Sequence, residues 1–461
     1  MEKQHQMLAH SKTAKLFLYS TMACWLTYSA SSAANIEVFK FFEIGATATD
    51  NLELLDENGS SELVLNVSPA VELKYAGNRF GVVARGEVDY LRFTDAEDDI
   101  VDPRLLTKLS GTLIDNLLFL DASLVVSQIT DDGDFVRLSD DDDNIAATFK
   151  NTVFLDHSFG RVADFYLAHT FTTFADEADD SLESNRNVID FNLERNPQYG
   201  GLLWGLGGSY SVDSSDLNEF SNSSVYAKLG TTLSQTLLAE LRFGIERRDL
   251  EVEEGSDITA NAGEEESDVW QLDFTWTPSE FTSLTAGYGE RFFGRGPTFE
   301  LKHRVRNSRI VASYTRDITR QTASLDGISN LGGTLNPTIS NPDSIELNNG
   351  SIASQLDEPF IDNRFRLAYK LAGRRSDFII DAVYSEQERL DSSEEINTLL
   401  GRVVFDRQLS NFLSLRLQYN HQISESESRE ALNYTENRFA VKFIYHFDGV
   451  SEFEDDELEI D

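Results

Sequence analysis

The chain predicts an all-β fold, a transmembrane antiparallel up-and-down β-barrel of about twenty strands (18–22) behind a cleaved signal peptide. Three observations carry the prediction. Stretches of about ten residues alternate apolar with polar side chains from residue 35 to the end, the length a tilted strand needs to cross hydrocarbon. The connections alternate between tight turns and longer, mostly acidic loops. No long apolar run follows the leader, so crossing by helices is excluded.

The leader comes first. Lys3, Lys12 and Lys15 precede the apolar stretch Leu16 to Ser29, and small residues follow from Ala30 to Ala34, where a signal peptidase would cut. The apolar stretch falls short of the roughly 20 residues a permanent membrane helix needs. This divides the chain into a signal peptide (1–34), a barrel (35–447) and a short acidic tail (448–461). Cys24, the single cysteine, lies in the leader and in a poor lipidation context, so the exported chain has no disulfide or thiol chemistry.

The strands follow in chain order. Phe80, Val82, Ala84, Gly86, Val88 and Tyr90 oppose Arg85, Glu87 and Asp89. Leu237, Ala239, Leu241, Phe243 and Ile245 oppose Glu240, Arg242 and Glu246. Trp270, Leu272, Phe274 and Trp276 oppose Gln271, Asp273 and Thr275. Phe365, Leu367, Tyr369 and Leu371 oppose Arg364, Arg366, Ala368 and Lys370. The last pair runs Leu413 to Tyr419 and then Phe439 to Phe447, with Arg416, Arg438, Lys442 and His446 on the polar side. Successive strand side chains point to opposite faces, so each segment has one greasy and one polar face, whereas helical spacing would scatter them.

Short turns are read at 76–79, 115–116, 159–160, 196–199, 234–235, 278–280, 306–308, 373–375 and 410–411. Between them lie ten longer loops, among them 95–104, 129–144, 251–267 and the largest, 317–362. Nine turns and ten loops make nineteen connections, hence about twenty strands, with segments such as 222–233 weak enough to allow 18 or 22. A soluble sandwich also alternates, but gives no reason for the long loops to fall at one end. A barrel in lipid does, and it must close, because an open edge would leave backbone groups unpaired in hydrocarbon. Tyr90, Trp270, Trp276, Tyr369, Tyr384, Tyr419 and Tyr445 are read as interfacial girdle residues.

Composition excludes other classes. Lys+Arg total 39 against 79 Asp+Glu, a formal charge of -40, which is wrong for a nucleic-acid binder. With 31 Phe and 15 Tyr the chain is far too aromatic to be disordered.

The segment 276–316 resembles the PEP-CTERM system-associated outer-membrane protein family. The residues that carry the likeness are Trp276-Thr277-Pro278-Ser279 with Thr282 and Leu284, then Tyr288-Gly289, Arg291-Phe292-Phe293-Gly294, His303-Arg304 and Ser313-Tyr314-Thr315-Arg316. The resemblance implies a Gram-negative outer membrane, a setting among exosortase and exopolysaccharide genes, and no catalytic residues. One departure is the acidic tail 448–461 beyond the final aromatic, Phe447, where such barrels usually stop.

Lys302, Arg304, Arg306, Arg364, Arg366 and Lys370 fall on the polar face of the strands around 299–306 and 363–371 and would line the lumen as a basic wall. Such a strip would draw an anionic solute or polymer through the pore. The structural reading of the same residues is a salt-bridge ladder with Glu300, Asp377 and Asp381. Asp131, Asp132, Asp134 and the run Asp140, Asp141, Asp142 and Asp143 form an acidic loop whose spacing does not match an EF-hand; a solvated surface facing lipopolysaccharide explains it better than a metal site. His157, His169, His303, His421 and His446 sit in no catalytic motif, and neither an enzyme nor a cofactor is expected.

The expected function is a polar passage across the outer membrane for export or assembly of an extracellular polysaccharide, working with periplasmic export machinery. The expected barrel is monomeric, embedded in lipid and lipopolysaccharide. A general diffusion porin and a non-conducting structural or surface-binding barrel are the alternatives. Loop 317–362, rich in Ser, Asn, Gly and Thr, would either constrict the lumen or sit outside.

Overall fold

The computed structural model describes residues 35–52, 59–94, 99–130, 143–176, 184–196, 201–215, 218–252, 263–319, 360–389, 395–426 and 433–447. The leader 1–34, the tail 448–461, residues 131–142 and the interior of loop 317–362 lie outside the described residues.

Twenty antiparallel strands form one sheet. The first five are β1 (Asn35–Thr49), β2 (Glu62–Ala76), β3 (Phe80–Phe93), β4 (Ile100–Ile114) and β5 (Leu118–Thr130). Next come β6 (Asp143–Ser158), β7 (Asp164–Asp176), β8 (Ser184–Glu194), β9 (Leu202–Ser215) and β10 (Asn218–Ser234). The third group is β11 (Leu237–Val252), β12 (Gly263–Ser279), β13 (Thr282–Arg291), β14 (Gly294–Val305) and β15 (Ser308–Thr319). The ring ends with β16 (Phe360–Ala372), β17 (Ser376–Arg389), β18 (Glu395–Gln408), β19 (Leu413–Ser426) and β20 (Tyr434–His446). Each strand pairs with its neighbours in sequence, and β20 returns to β1 from Phe41↔His446 to Thr49↔Arg438. The sheet therefore has no free edge, as lipid demands.

The alternation sorts the two faces. Along β2, Val64, Asn66, Ser68, Ala70 and Glu72 are buried toward the lumen, while Leu63, Leu65, Val71 and Leu73 are exposed on the outside. Direct partners share a face, so the outward row runs from strand to strand: Leu241 beside Leu272, Tyr314 beside Phe365, Tyr384 beside Leu399. In water this continuous apolar belt would be an aggregation surface; around a closed barrel it is the lipid-facing band. No helix among the described residues is long and apolar enough to cross a membrane, and crossing is by strands. The protein is an outer-membrane β-barrel.

The girdle reading holds at Tyr90, Trp276 and Tyr445 near strand ends, and at Trp270, which is central in β12 but pairs with Glu290 at the end of β13, whereas Tyr419 lies mid-strand, paired with Val403 and Phe439. The turn side also matches, with a positive φ of 57° at Asn116, which an asparagine tolerates. The loop side departs from expectation in four places. Asp102 and Arg104, read as loop, belong to β4, and Glu264 to Glu266 belong to β12, paired with Arg247, Arg248 and Asp249. Strand β9 ends at Ser215 and β10 begins at Asn218, a two-residue gap. Strands β13 and β14 are likewise joined by Phe292-Phe293 alone. The β13–β14 hairpin is therefore a low point in the extracellular rim.

Candidate functional site: the lumen wall

Interior charge gives the barrel its chemistry, and register decides which charges meet. The turn at Arg306-Asn307 brings Arg304 opposite Arg309, and the next ladder puts Arg309 opposite Lys370. Three cations thus share one row across β14, β15 and β16. Like charges placed directly opposite each cost roughly 0.2–1 kcal/mol. A barrel that retains such an arrangement breaks a local rule of sheet design, which is where function is expected.

The rows above continue the pattern. Lys302 sits in line with Val311, Ala368, Asp381 and Arg402. Glu300 sits in line with Ser313 and Arg366, and Arg364 lies one lumen position further toward the extracellular end. On these three strands the lumen carries Lys302, Arg304, Arg309, Arg364, Arg366 and Lys370 against Glu300, Asp317 and Asp362. Register puts Lys302, Arg304, Arg364, Arg366 and Lys370 on this lumen face, with two differences from the expected set. Arg306 is not part of it: the residue occupies the turn with a φ of 40° and is exposed there. Arg309, overlooked in the sequence, takes a place in the middle of the row.

Part of the wall is also an ion-pair ladder. Lys302 Nζ lies 3.0 Å from Glu300, both about half exposed, and Arg364 pairs with Asp362, which also accepts a 2.6 Å hydrogen bond from Ser385. Asp381 is held by Arg402 of the next strand, through Nε at 3.1 Å and Nη2 at 2.6 Å. The two readings of these residues therefore coexist: Lys302 and Arg364 are held in ion pairs on the same wall where Arg304, Arg309 and Lys370 share one row.

Another sector, from β18 round to β4, is arranged differently. Arg416 meets Asp406 at 2.7 Å, Lys442 meets Glu43 at 2.9 Å and Arg438 meets Glu436 at 2.7 Å. Arg85 meets Glu87 at 2.9 Å and Arg104 bridges Asp89 and Asp102. Arg85 also lies over the Phe41 ring, 5.3 Å from its centroid, and Phe41 stands edge-on to His446 at 5.2 Å. Arg85 and Glu87 are only 5% and 3% exposed, so each charge is neutralised by a close partner, as burial requires. This sector is a stiff, nearly balanced plate. Local alternation shows that its residues face inward; only the strand pairing shows that they meet.

The five histidines do not gather. His157, His169, His303 and His421 share the outward register, His303 accepting or donating at 2.8 Å to Thr282 and His421 at 2.9 Å to Asn437, while His446 alone of them faces the lumen. Among the described residues no cluster of three His, Cys, Asp or Glu is placed to hold a metal. Asp140, Asp141 and Asp142 lie outside the described residues, and Asp143 only begins β6.

No protein-family model matches the chain, and no curated protein matches it in sequence. Among solved structures it is similar to the siderophore receptor PirA of Pseudomonas aeruginosa, at 10% identity and a TM-score of 0.44, covering 90% of this chain and 81% of that one. The ferric preacinetobactin receptor BauA of Acinetobacter baumannii aligns at 8% identity and a TM-score of 0.48, over 90% of this chain and 81% of that one. The FrpB iron transporter of Neisseria meningitidis aligns at 8% identity and a TM-score of 0.45, over 89% and 82%. At these values the likenesses add nothing to what the ring of strands establishes by itself.

Proposed function

We propose that the barrel is a passage through which an anionic extracellular polysaccharide crosses the outer membrane, guided by the basic sector of its lumen wall. The single observation that carries this reading is the row Arg304, Arg309 and Lys370, flanked by Lys302, Arg364 and Arg366 on β14 to β16. Cations arranged along one wall give an extended polyanion successive, individually weak attachment points, so it is drawn in without being held. The balanced plate from β18 to β4 supplies rigidity and no net attraction. The polysaccharide class itself rests on the family resemblance of segment 276–316, and periplasmic partners would complete the route.

The test is occlusion of single-channel current in planar bilayers. A polyuronate oligosaccharide should interrupt the current at micromolar concentration, and a neutral dextran of equal length should not. Equal block by both, or by neither, would refute an anion-guiding wall. A second reading, a barrel that conducts nothing, draws on the depth of burial of lumen charges such as Glu87 and Asp381, 3% and 1% exposed. Silence in the same bilayer experiment, with correctly folded protein, would favour it.

A further inference from the structure

One incompletely satisfied arginine lies outside the lumen, on the lipid-facing side. Pairing between β14 and β15 runs only from Phe299↔Tyr314 to Val305↔Ser308, the shortest ladder in the ring. Counting from the two-residue turn, Arg291↔Gly294 is a hydrogen-bonded pair and Tyr288↔Pro297 a non-bonded one, so the Pro297 nitrogen faces β15. Having no N–H, it cannot extend the ladder. Above Tyr314, β15 stays with β16 and leaves β14, and Arg316 emerges at this seam on the outward face.

Arg316 has an unusual environment. Its Nη1 donates to the Arg295 carbonyl at 3.5 Å, and its Cζ lies 5.3 Å from the Phe293 ring centroid. Its Nε is buried without a hydrogen-bond partner, and among the described residues Arg316 makes no ion pair. In register beside it, Asn363 has a buried Oδ1 that is also without a partner. Arg295, on the outward face of β14, is 63% exposed and pairs at 3.1 Å with Glu290, which accepts a 3.0 Å hydrogen bond from the Trp270 indole. Trp270, Tyr288 and Tyr314 place this group at the extracellular girdle, the depth of lipid headgroups.

A half-buried guanidinium with no carboxylate beside it among the described residues, next to an unsatisfied amide oxygen, asks for an anion that carries a hydroxyl. We propose that this outward face of β13 to β16 binds the phosphorylated sugar headgroup of an outer-leaflet glycolipid. Arg316 and Arg295 take the phosphate, Asn363 accepts from a sugar hydroxyl, and the acyl chains lie along the apolar belt below, over Phe299 and Phe365. The lipid is the source favoured by position, because the site faces the membrane and the lumen row faces away from it. Glu290 limits the site to one phosphate by neutralising part of the charge of Arg295.

Native mass spectrometry of the detergent-extracted protein tests this with phosphorylated lipid A, its fully dephosphorylated form and inorganic phosphate as probes. Phosphorylated lipid A should be retained at least about tenfold better than the dephosphorylated form. Arg316→Glu and Asn363→Asp should each abolish that preference, while Arg374→Glu, in an exposed periplasmic turn, should leave it intact. Heat-modifiable mobility establishes that each variant is folded, and Arg316→Gln with Arg295→Gln serves if the reversal does not fold. Equal retention of the dephosphorylated lipid, or an unchanged preference in both arginine variants, would overturn the proposal. Full displacement by millimolar inorganic phosphate would overturn the lipid assignment, leaving a site for free phosphate.

Discussion

Leu272→Arg separates the two faces of the barrel more cleanly than any lumen change. Leu272 lies on the outward row of β12 between Trp270 and Trp276, beside Leu241 on one side and Tyr288 on the other. It is 38% exposed on the lipid-facing band. An arginine near the middle of that band costs about 2–3 kcal/mol, somewhat below the midplane maximum because its stem can snorkel toward the Trp270 girdle. At about 1.4 kcal/mol per decade this lowers the folding equilibrium constant roughly 30- to 140-fold. The matched control is Thr285→Arg, on the lumen face directly opposite Glu300, where the new guanidinium gains a partner and the change should stay within about 0.5 kcal/mol. Urea-dependent folding into lipid vesicles, followed by tryptophan emission and heat-modifiable mobility, reads both. Equal tolerance of the two variants, or a larger loss for Thr285→Arg, would show that the faces are assigned the wrong way round.

Three other outcomes follow from the same structure. Asp381→Ala removes the carboxylate that holds Arg402 at 2.6 Å and should cost at most about 3 kcal/mol, with Arg402→Met added to it recovering part of the loss in a double-mutant cycle. Gly244→Val places a Cβ against the Val225 carbonyl and 2.7 Å from Tyr226 Cα, where the Tyr226 ring stacks under Arg242, and should cost about 1–3 kcal/mol or block insertion, measured by the yield of folded barrel. Pro297→Val restores an N–H facing β15, so the Arg316 amide should exchange more slowly in hydrogen exchange, and an unchanged rate would mean the seam has another cause.

The sequence made the faces legible and hid the meetings. Alternation is local: it put Arg85, Glu87, Lys442 and Arg416 on a polar face, and counting turns against loops returned the number of strands. Ion pairing is not local, because Lys442 meets Glu43 only when the last strand closes on the first. Arg309 was within reach of sequence reasoning, since reflecting the chain about a two-residue turn at 306–307 puts it opposite Arg304. Extending the alternation of Lys302 and Arg304 into the turn puts Arg306 on the wall, and a three-residue turn at 306–308 sets Arg309 opposite Val305 and off it. Loop lengths were overestimated around Glu265 and Asp102 because acidic residues read as solvent-exposed, whereas Arg248 and Arg104 hold them within the ladder. Phe292-Phe293 forms a two-residue connection although phenylalanines are poor turn formers. Arg248 and Arg291 lie over their rings at 4.6 and 4.9 Å and supply what the turn chemistry lacks.

The central claim is that the β14–β16 sector gives the lumen a working positive potential. The reversal potential of the reconstituted channel in a KCl gradient tests it most directly, comparing the native protein with the triple variant Arg304→Glu, Arg309→Glu, Lys370→Glu. The native barrel should prefer anions and the variant cations, with the difference shrinking as salt rises because the wall charges are screened over about 10 Å at 0.1 M. A native channel that already prefers cations, or a reversal potential that the triple variant leaves unmoved, would contradict it.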